Sequence, residues 1–191
     1  MTNKAYVNHV ALVLPDVEFT ANILKKHNFK VGAVDLFESM GTKEIYIESD
    51  KSASLLLMQP TKDGSYQRAL KKRGPSLHHI AIDVLSLDQF INDISESGWL
   101  LHPNSLESIK DLRVAWLARP GFPALIEVTE VKGFSTASEF VGGIKLSTTT
   151  ENQRFVDALN LNHYVEITND ETQFLLDGQY FAISDLTTNS N

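Results

Sequence analysis

The sequence predicts an α+β fold in which a strand–helix–three-strand unit, βαβββ, occurs twice and then begins a third time. Three observations predict it. Val7-Asn8-His9-Val10-Ala11-Leu12 resembles Leu77-His78-His79-Ile80-Ala81-Ile82 at an offset of 70 residues. A polar break and an amphipathic helix follow each copy. Leu57-Met58-Gln59 and Leu125-Ile126-Glu127 then close the two units at an offset of 68.

The elements follow in order. The first strand runs through Val7–Leu12 and is followed by a short polar break. A helix starts near Asp16, with Phe19, Ile23 and Leu24 on one face. Three strands are expected at Lys30–Glu38, Lys43–Glu48 and Ser54–Gln59. Ser65–Arg73 reads as a helical connector ended by Gly74-Pro75. The second unit opens on Leu77–Ile82. Its helix starts at Ser86, where Ser86 and Gln89 have capping-box spacing, and carries Leu87, Phe90, Ile91 and Ile94. Gly98 suits the end of that helix. Strands are expected at Trp99–Leu101, Arg113–Leu117 and Ala124–Thr129, with no assignment between the first two.

The third unit is shorter. Val141-Gly142-Gly143-Ile144-Lys145-Leu146 aligns with the His78-His79 segment, with Gly143 where His79 stands. Thr150 and Gln153 repeat the capping spacing, and a helix through Phe155, Val156 and Leu159 follows. Strands are expected at His163–Thr168, Thr172–Leu176 and Tyr180–Ser184, and Thr187–Asn191 is expected to fray. Residues 1–131 therefore read as one paired domain, with modules at 4–60 and 75–131. Residues 138–186 read as a degenerate third module, structural or dimerising.

Composition narrows the function. The chain has 191 residues, 42% hydrophobic and 21% charged, which suits a globular protein with a core of its own. It has no cysteine, which removes disulfides, thiol catalysis and thiolate metal sites. Seventeen basic against 24 acidic residues give a net charge of −7, so no nucleic-acid partner is expected. No apolar run approaches the ~20 residues of a membrane span. Met1–Lys4 leads straight into a strand and offers no signal peptide, so cytoplasmic residence is expected.

The repeat also brings chemistry together. It aligns His9 with His79 and Gln59 with Glu127. Equivalent positions of two paired units converge, so these four form a ligand set for a divalent metal. A cation there acts as a Lewis acid on a substrate oxygen. Strand alternation puts His78 on the face opposite His79. His27, His102 and His163 have no partner pattern and are expected at the surface. Tyr46, Trp116, Phe122 and Met40 are candidate cup-lining residues.

These segments resemble the vicinal oxygen chelate superfamily of glyoxalases, bleomycin-resistance proteins, extradiol dioxygenases and methylmalonyl-CoA epimerases. The resemblance covers residues 5–131. It implies two βαβββ modules forming a cupped mixed sheet around a metal held by first and last strands. Asn8–Asp16, Leu57–Pro60, Leu70–Ala81 and Ala124–Val128 look most like the epimerases. That branch implies the ligand order His9, Gln59, His79, Glu127, and an acid at Glu38 as catalytic base, with Glu127 able to serve the other face. Arg119, in Leu117–Pro123, is the cation available where epimerases carry a His-Pro-Lys-Ser-like run.

The function expected is a metal-dependent isomerase, epimerase or glyoxalase-type lyase that moves a proton next to a metal-chelated carbonyl. The cofactor would be a divalent ion: Co, Mn, Ni, Zn, Mg or Fe. One alternative is a non-haem iron dioxygenase using His9, His79 and Glu127, with Gln59 outside the ligand set. Another is a non-catalytic, resistance-type binding protein. The expected partners are a small-molecule substrate and, through the third unit, a second copy in a homodimer, with no membrane.

Overall fold

Twelve strands, β1–β12, build two sheets in a computed structural model that describes residues 4–103 and 105–188. The expectations for residues 1–3 and 189–191 lie outside the described residues. The first unit is β1 (Tyr6–Val13), α1 (Val17–Lys26), β2 (Val31–Phe37), β3 (Thr42–Ile47) and β4 (Ser54–Pro60). Helix α2 (Ser65–Arg73) connects it to β5 (Ser76–Val84), α3 (Leu87–Asp93), β6 (Leu100–Leu101), α4 (Ser105–Leu112), β7 (Val114–Ala118) and β8 (Leu125–Glu130). Helix α4 fills the stretch that the sequence left unassigned.

The eight strands run β2-β3-β4-β1-β5-β8-β7-β6. Within each module the first and last strands pair in parallel, β1 with β4 and β5 with β8. Antiparallel β1 and β5 join the modules at the centre. The order reads the same outward from that centre, as pseudo-two-fold pairing requires.

Helix starts follow their caps. Asp16 accepts the Phe19 N–H and Ser86 accepts the Gln89 N–H. One face of the sheet is packed by helices, through Val10, Leu12, Leu55, Leu57, Ile80, Ile126 and Val128. The other face is open. On it Ala11, Leu56 and Met58 form a small apolar floor with Tyr46 and Tyr66 against it.

The remaining chain is β9 (Val141–Ser147), a 3-10 turn at Thr150–Asn152, α5 (Gln153–Ala158), β10 (Val165–Thr168), β11 (Gln173–Leu176), β12 (Gln179–Ala182) and α6 (Ile183–Thr187). The element order is βαβββ again, but the sheet order is β10-β9-β11-β12. Its first strand pairs with the second and third, not with the last, so the likeness to the modules stops at the order of elements. Thr150 lies inside the 3-10 turn and is not a cap: the turn is capped by Thr149 and α5 by Asn152, neither through a side-chain bond. Thr187 does not fray: α6 docks on α1, and buried Thr20 donates to the Leu186 carbonyl. The apolar residues of this unit, Phe140, Phe155 and Phe174 among them, lie in the same core as the modules. The third unit thus buries apolar surface against the modules within the chain.

Candidate metal centre

Strand pairing sets His9 beside Ala81 and His79 beside Ala11, so the two imidazoles meet across the module junction. Their Nε2 atoms lie 3.1 Å apart. Glu127, on β8 beside Ala81, brings Oε2 to 3.5 Å from His79 and 3.8 Å from His9. One ligand atom from each of the three falls within 4.8 Å of the others, a group that could hold a metal ion.

Burial sets the protonation. It pushes His9 down to about 4 and His79 well below its usual value, with like charge from His78 and His9 adding to the effect on His79. It pushes Glu127 up to about 7, helped by Asp83 and Glu44. The imidazoles are therefore neutral, and their approach to Glu127 is not an ion pair. Asn8 fixes the tautomer of His9. Its Nδ2 donates to both oxygens of Asp83, which turns Oδ1 toward His9 Nδ1 at 2.9 Å. An amide oxygen only accepts, so His9 carries its proton on Nδ1 and aims the Nε2 lone pair at the group. Two imidazole nitrogens and a carboxylate suit a borderline divalent cation.

His78 departs from the expected face. The β1–β5 register slips between Ala11 and Leu12, leaving His78 as an extra residue on β5. It sits buried with Nδ1 2.9 Å from His79 Nδ1 and its ring 4.9 Å from Tyr66. Asn8 occupies the matching slip on β1, between Val7 and His9. Each histidine of the group is thus held at Nδ1 by the bulge residue before it.

Gln59 does not join the group. It lies on the helix-covered face, and its Oε1 accepts the Val17 N–H at the start of α1. Glu130 does the same for Leu87 at the start of α3. Ladder pairing makes Gln59 the counterpart of Glu130, at an offset of 71, and makes Leu56 the counterpart of Glu127. Glu38 also stays outside, on the exposed turn after β2, where its backbone carbonyl accepts from Lys62. Arg119 is engaged elsewhere: it bonds the Gly98 carbonyl and lies over the Phe155 ring.

Among the cup-lining candidates, Tyr46 and Trp116 flank the group at 5.8 Å from the His9 ring and 5.0 Å from the His79 ring. Phe122 packs on Trp99 in the core, and Met40 is exposed. Sequence reasoning missed Glu44. It shares the open face of β3 with Thr42 and Tyr46, while Ile45 and Ile47 face the helices. Glu44 is buried, accepts from the Thr42 hydroxyl at 2.7 Å, and is raised above the usual carboxylate range by burial. The alternation of Glu44 and Tyr46 with Ile45 and Ile47 was the available signal.

Paired βαβββ modules around a partly buried His/His/Glu group define a glyoxalase-like protein. The chain belongs to the glyoxalase/bleomycin resistance protein/dioxygenase superfamily, whose family model matches residues 8–116, more than half of it. Among solved structures it resembles a hypothetical protein from Bacillus halodurans, with TM-score 0.56 and 21% identity over 69% of this chain and 98% of that one. It also resembles methylmalonyl-CoA epimerase from Mycobacterium tuberculosis, with TM-score 0.53 and 20% identity over 68% of this chain and 91% of that one. A variant of the Streptomyces coelicolor methylmalonyl-CoA epimerase in complex with 2-nitronate-propionyl-CoA gives 0.52 and 22%, over 70% and 96%. At these identities the likeness is one of fold. No curated protein sequence matches the chain significantly. No helix of the described residues is long and apolar enough to cross a membrane.

Proposed function

We propose that this protein is a metal-dependent enzyme that moves a proton next to a carbonyl, as an isomerase, epimerase or glyoxalase-type lyase. The observation that carries this is the buried Glu44 on the same open face as His9, His79 and Glu127. His9, His79 and Glu127 hold the cation, which when bound supplies Lewis-acid polarisation of a substrate oxygen. Glu44 takes and returns the proton. Its burial makes it more basic than an ordinary carboxylate, and Thr42 fixes its oxygen, as a general base requires. Tyr46, Tyr66 and Trp116 wall the face and restrict water. The fold likeness to epimerases supports this class of chemistry.

The test is solvent exchange. Metal-loaded protein in D2O should place deuterium at the carbon next to the carbonyl of its substrate, with methylmalonyl-CoA and small hydroxyketones as the first panel. Glu44→Gln should reduce exchange by roughly 10²–10⁴-fold while keeping its metal. Full exchange in Glu44→Gln would remove Glu44 from the role.

One observation favours a second reading. With Leu56 at the position equivalent to Glu127 and Gln59 turned away, the donors are two histidines and one carboxylate, the set used by non-haem iron oxygenases. Oxygen uptake by the iron-loaded protein, without deuterium exchange, would select that reading.

A further inference from the structure

A cavity of about 380 Å³ opens beside the His9 group, between the open face of the large sheet and the segment leading to the second sheet. This volume falls within the range of small-molecule sites. Its walls come from three sources. Tyr6, Tyr46, Ser54 and Asp83 come from the open face; Lys51 comes from the turn between β3 and β4; Ser135 and Glu139 come from the segment between β8 and β9. That segment is held in place. Ser52 donates its N–H to the Ser138 carbonyl and accepts at its own carbonyl from Phe140, and Phe134 lies 4.2 Å from the Tyr6 ring. The cavity adjoins the metal group without being lined by it: Asn8 lines the cavity and bonds His9, and Tyr46 lines it with its ring 5.8 Å from that of His9.

The lining states what it would bind. Asp83 is 8% exposed, and the Asn8 amide donates to both of its oxygens through one nitrogen. A carboxylate has about four acceptor positions, so Asp83 keeps some for a ligand. Glu139 adds a second carboxylate and the serines add hydroxyls. Against them stands Lys51, 3.8 Å from Glu48. Phosphates and carboxylates are repelled by this balance. Hydroxyl groups suit it, because each donates to a carboxylate and accepts from a lysine or serine. Tyr6 and Tyr46 offer flat apolar faces to the C–H side of such a chain.

We propose that this cavity holds the hydroxyl-rich end of a polyol- or sugar-like substrate whose carbonyl end reaches the His9, His79 and Glu127 group. The assignment rests on the proton-transfer reading for the carbonyl end only; the cavity binds hydroxyls whether or not a metal is present. It also gives the chain beyond β8 a share in the site, through Ser135 and Glu139.

The test uses full-length protein and D-glucitol, which has neither carbonyl nor charge. Saturation-transfer NMR and calorimetry should show saturable binding in the presence and absence of EDTA. Glu139→Leu and Asp83→Asn should each weaken it about tenfold, the loss expected for a hydrogen bond to a charged group. Glu139 is exposed, so its variant folds even where an Asp83 variant fails; a thermal melt checks both. His79→Ala should lose metal and keep glucitol binding, which separates the cavity from the metal reading. Absence of glucitol binding, unchanged binding in both variants, or binding of putrescine in its place would overturn the proposal.

Discussion

His9 and His79 are neutral bases packed 3.1 Å apart at Nε2, an arrangement with two outcomes only: a shared proton or a shared cation. Asn8 and His78 decide which lone pairs face inward, so they act as positioning residues. His78→Phe should therefore weaken metal affinity about 10–100-fold without removing a ligand, as measured by chelator competition. The same variant has a signature in acid. Burial, with Arg73 adding to it, lowers His78 to about 4, while an unfolded chain protonates near 6.5. Its neutral form thus contributes stability above pH 6.5 that is lost as pH falls toward 4, by up to about 1.4 kcal/mol per unit. Relative to the metal-free wild type, His78→Phe should gain stability across that window in denaturant titrations at pH 7 and pH 5. A constant gap between the two proteins would show that His78 is not held neutral.

At the scale of strands and helices, legibility depended on whether an element has two different faces. Helix starts were plain, because Asp16 and Ser86 cap them through local bonds. The order of elements in each module and the positions of His9, His79 and Glu127 were also legible, because the repeat marks them. Gln59 was not. Leu55-Leu56-Leu57-Met58 is buried on both faces, so it shows no alternation, and the sequence offset of 68 looked as good as the true 71. His78 was hidden by a bulge, which breaks the period on which face assignment rests. The two readings of Gln59 predict different losses. As a ligand, its replacement by Ala would strip metal. As the group closing the α1 N-terminus, Gln59→Ala should cost about 1 kcal/mol of stability and leave metal content unchanged. Unfolding and metal analysis on one sample decide between them.

Across the whole molecule, the question is whether residues after β8 form a separate domain or part of one core. Contacts favour one core. Phe140 is fully buried with its ring 5.0 Å from that of Phe29, between β9 and the end of α1. Trp99 donates to the Phe155 carbonyl, and Thr20 donates to that of Leu186. A domain joined only by a linker would have its own melting transition, and damage inside it would leave the metal group intact. A shared core behaves otherwise: Phe140→Ala opens a cavity that both sheets line, at a cost of about 3–5 kcal/mol. Calorimetry should show one transition in the wild type and one, at lower temperature, in Phe140→Ala, with metal release following the same curve. Two separated transitions, with metal retained through the first, would instead make the C-terminal sheet an independent unit and leave Glu139 as the edge of a detachable wall.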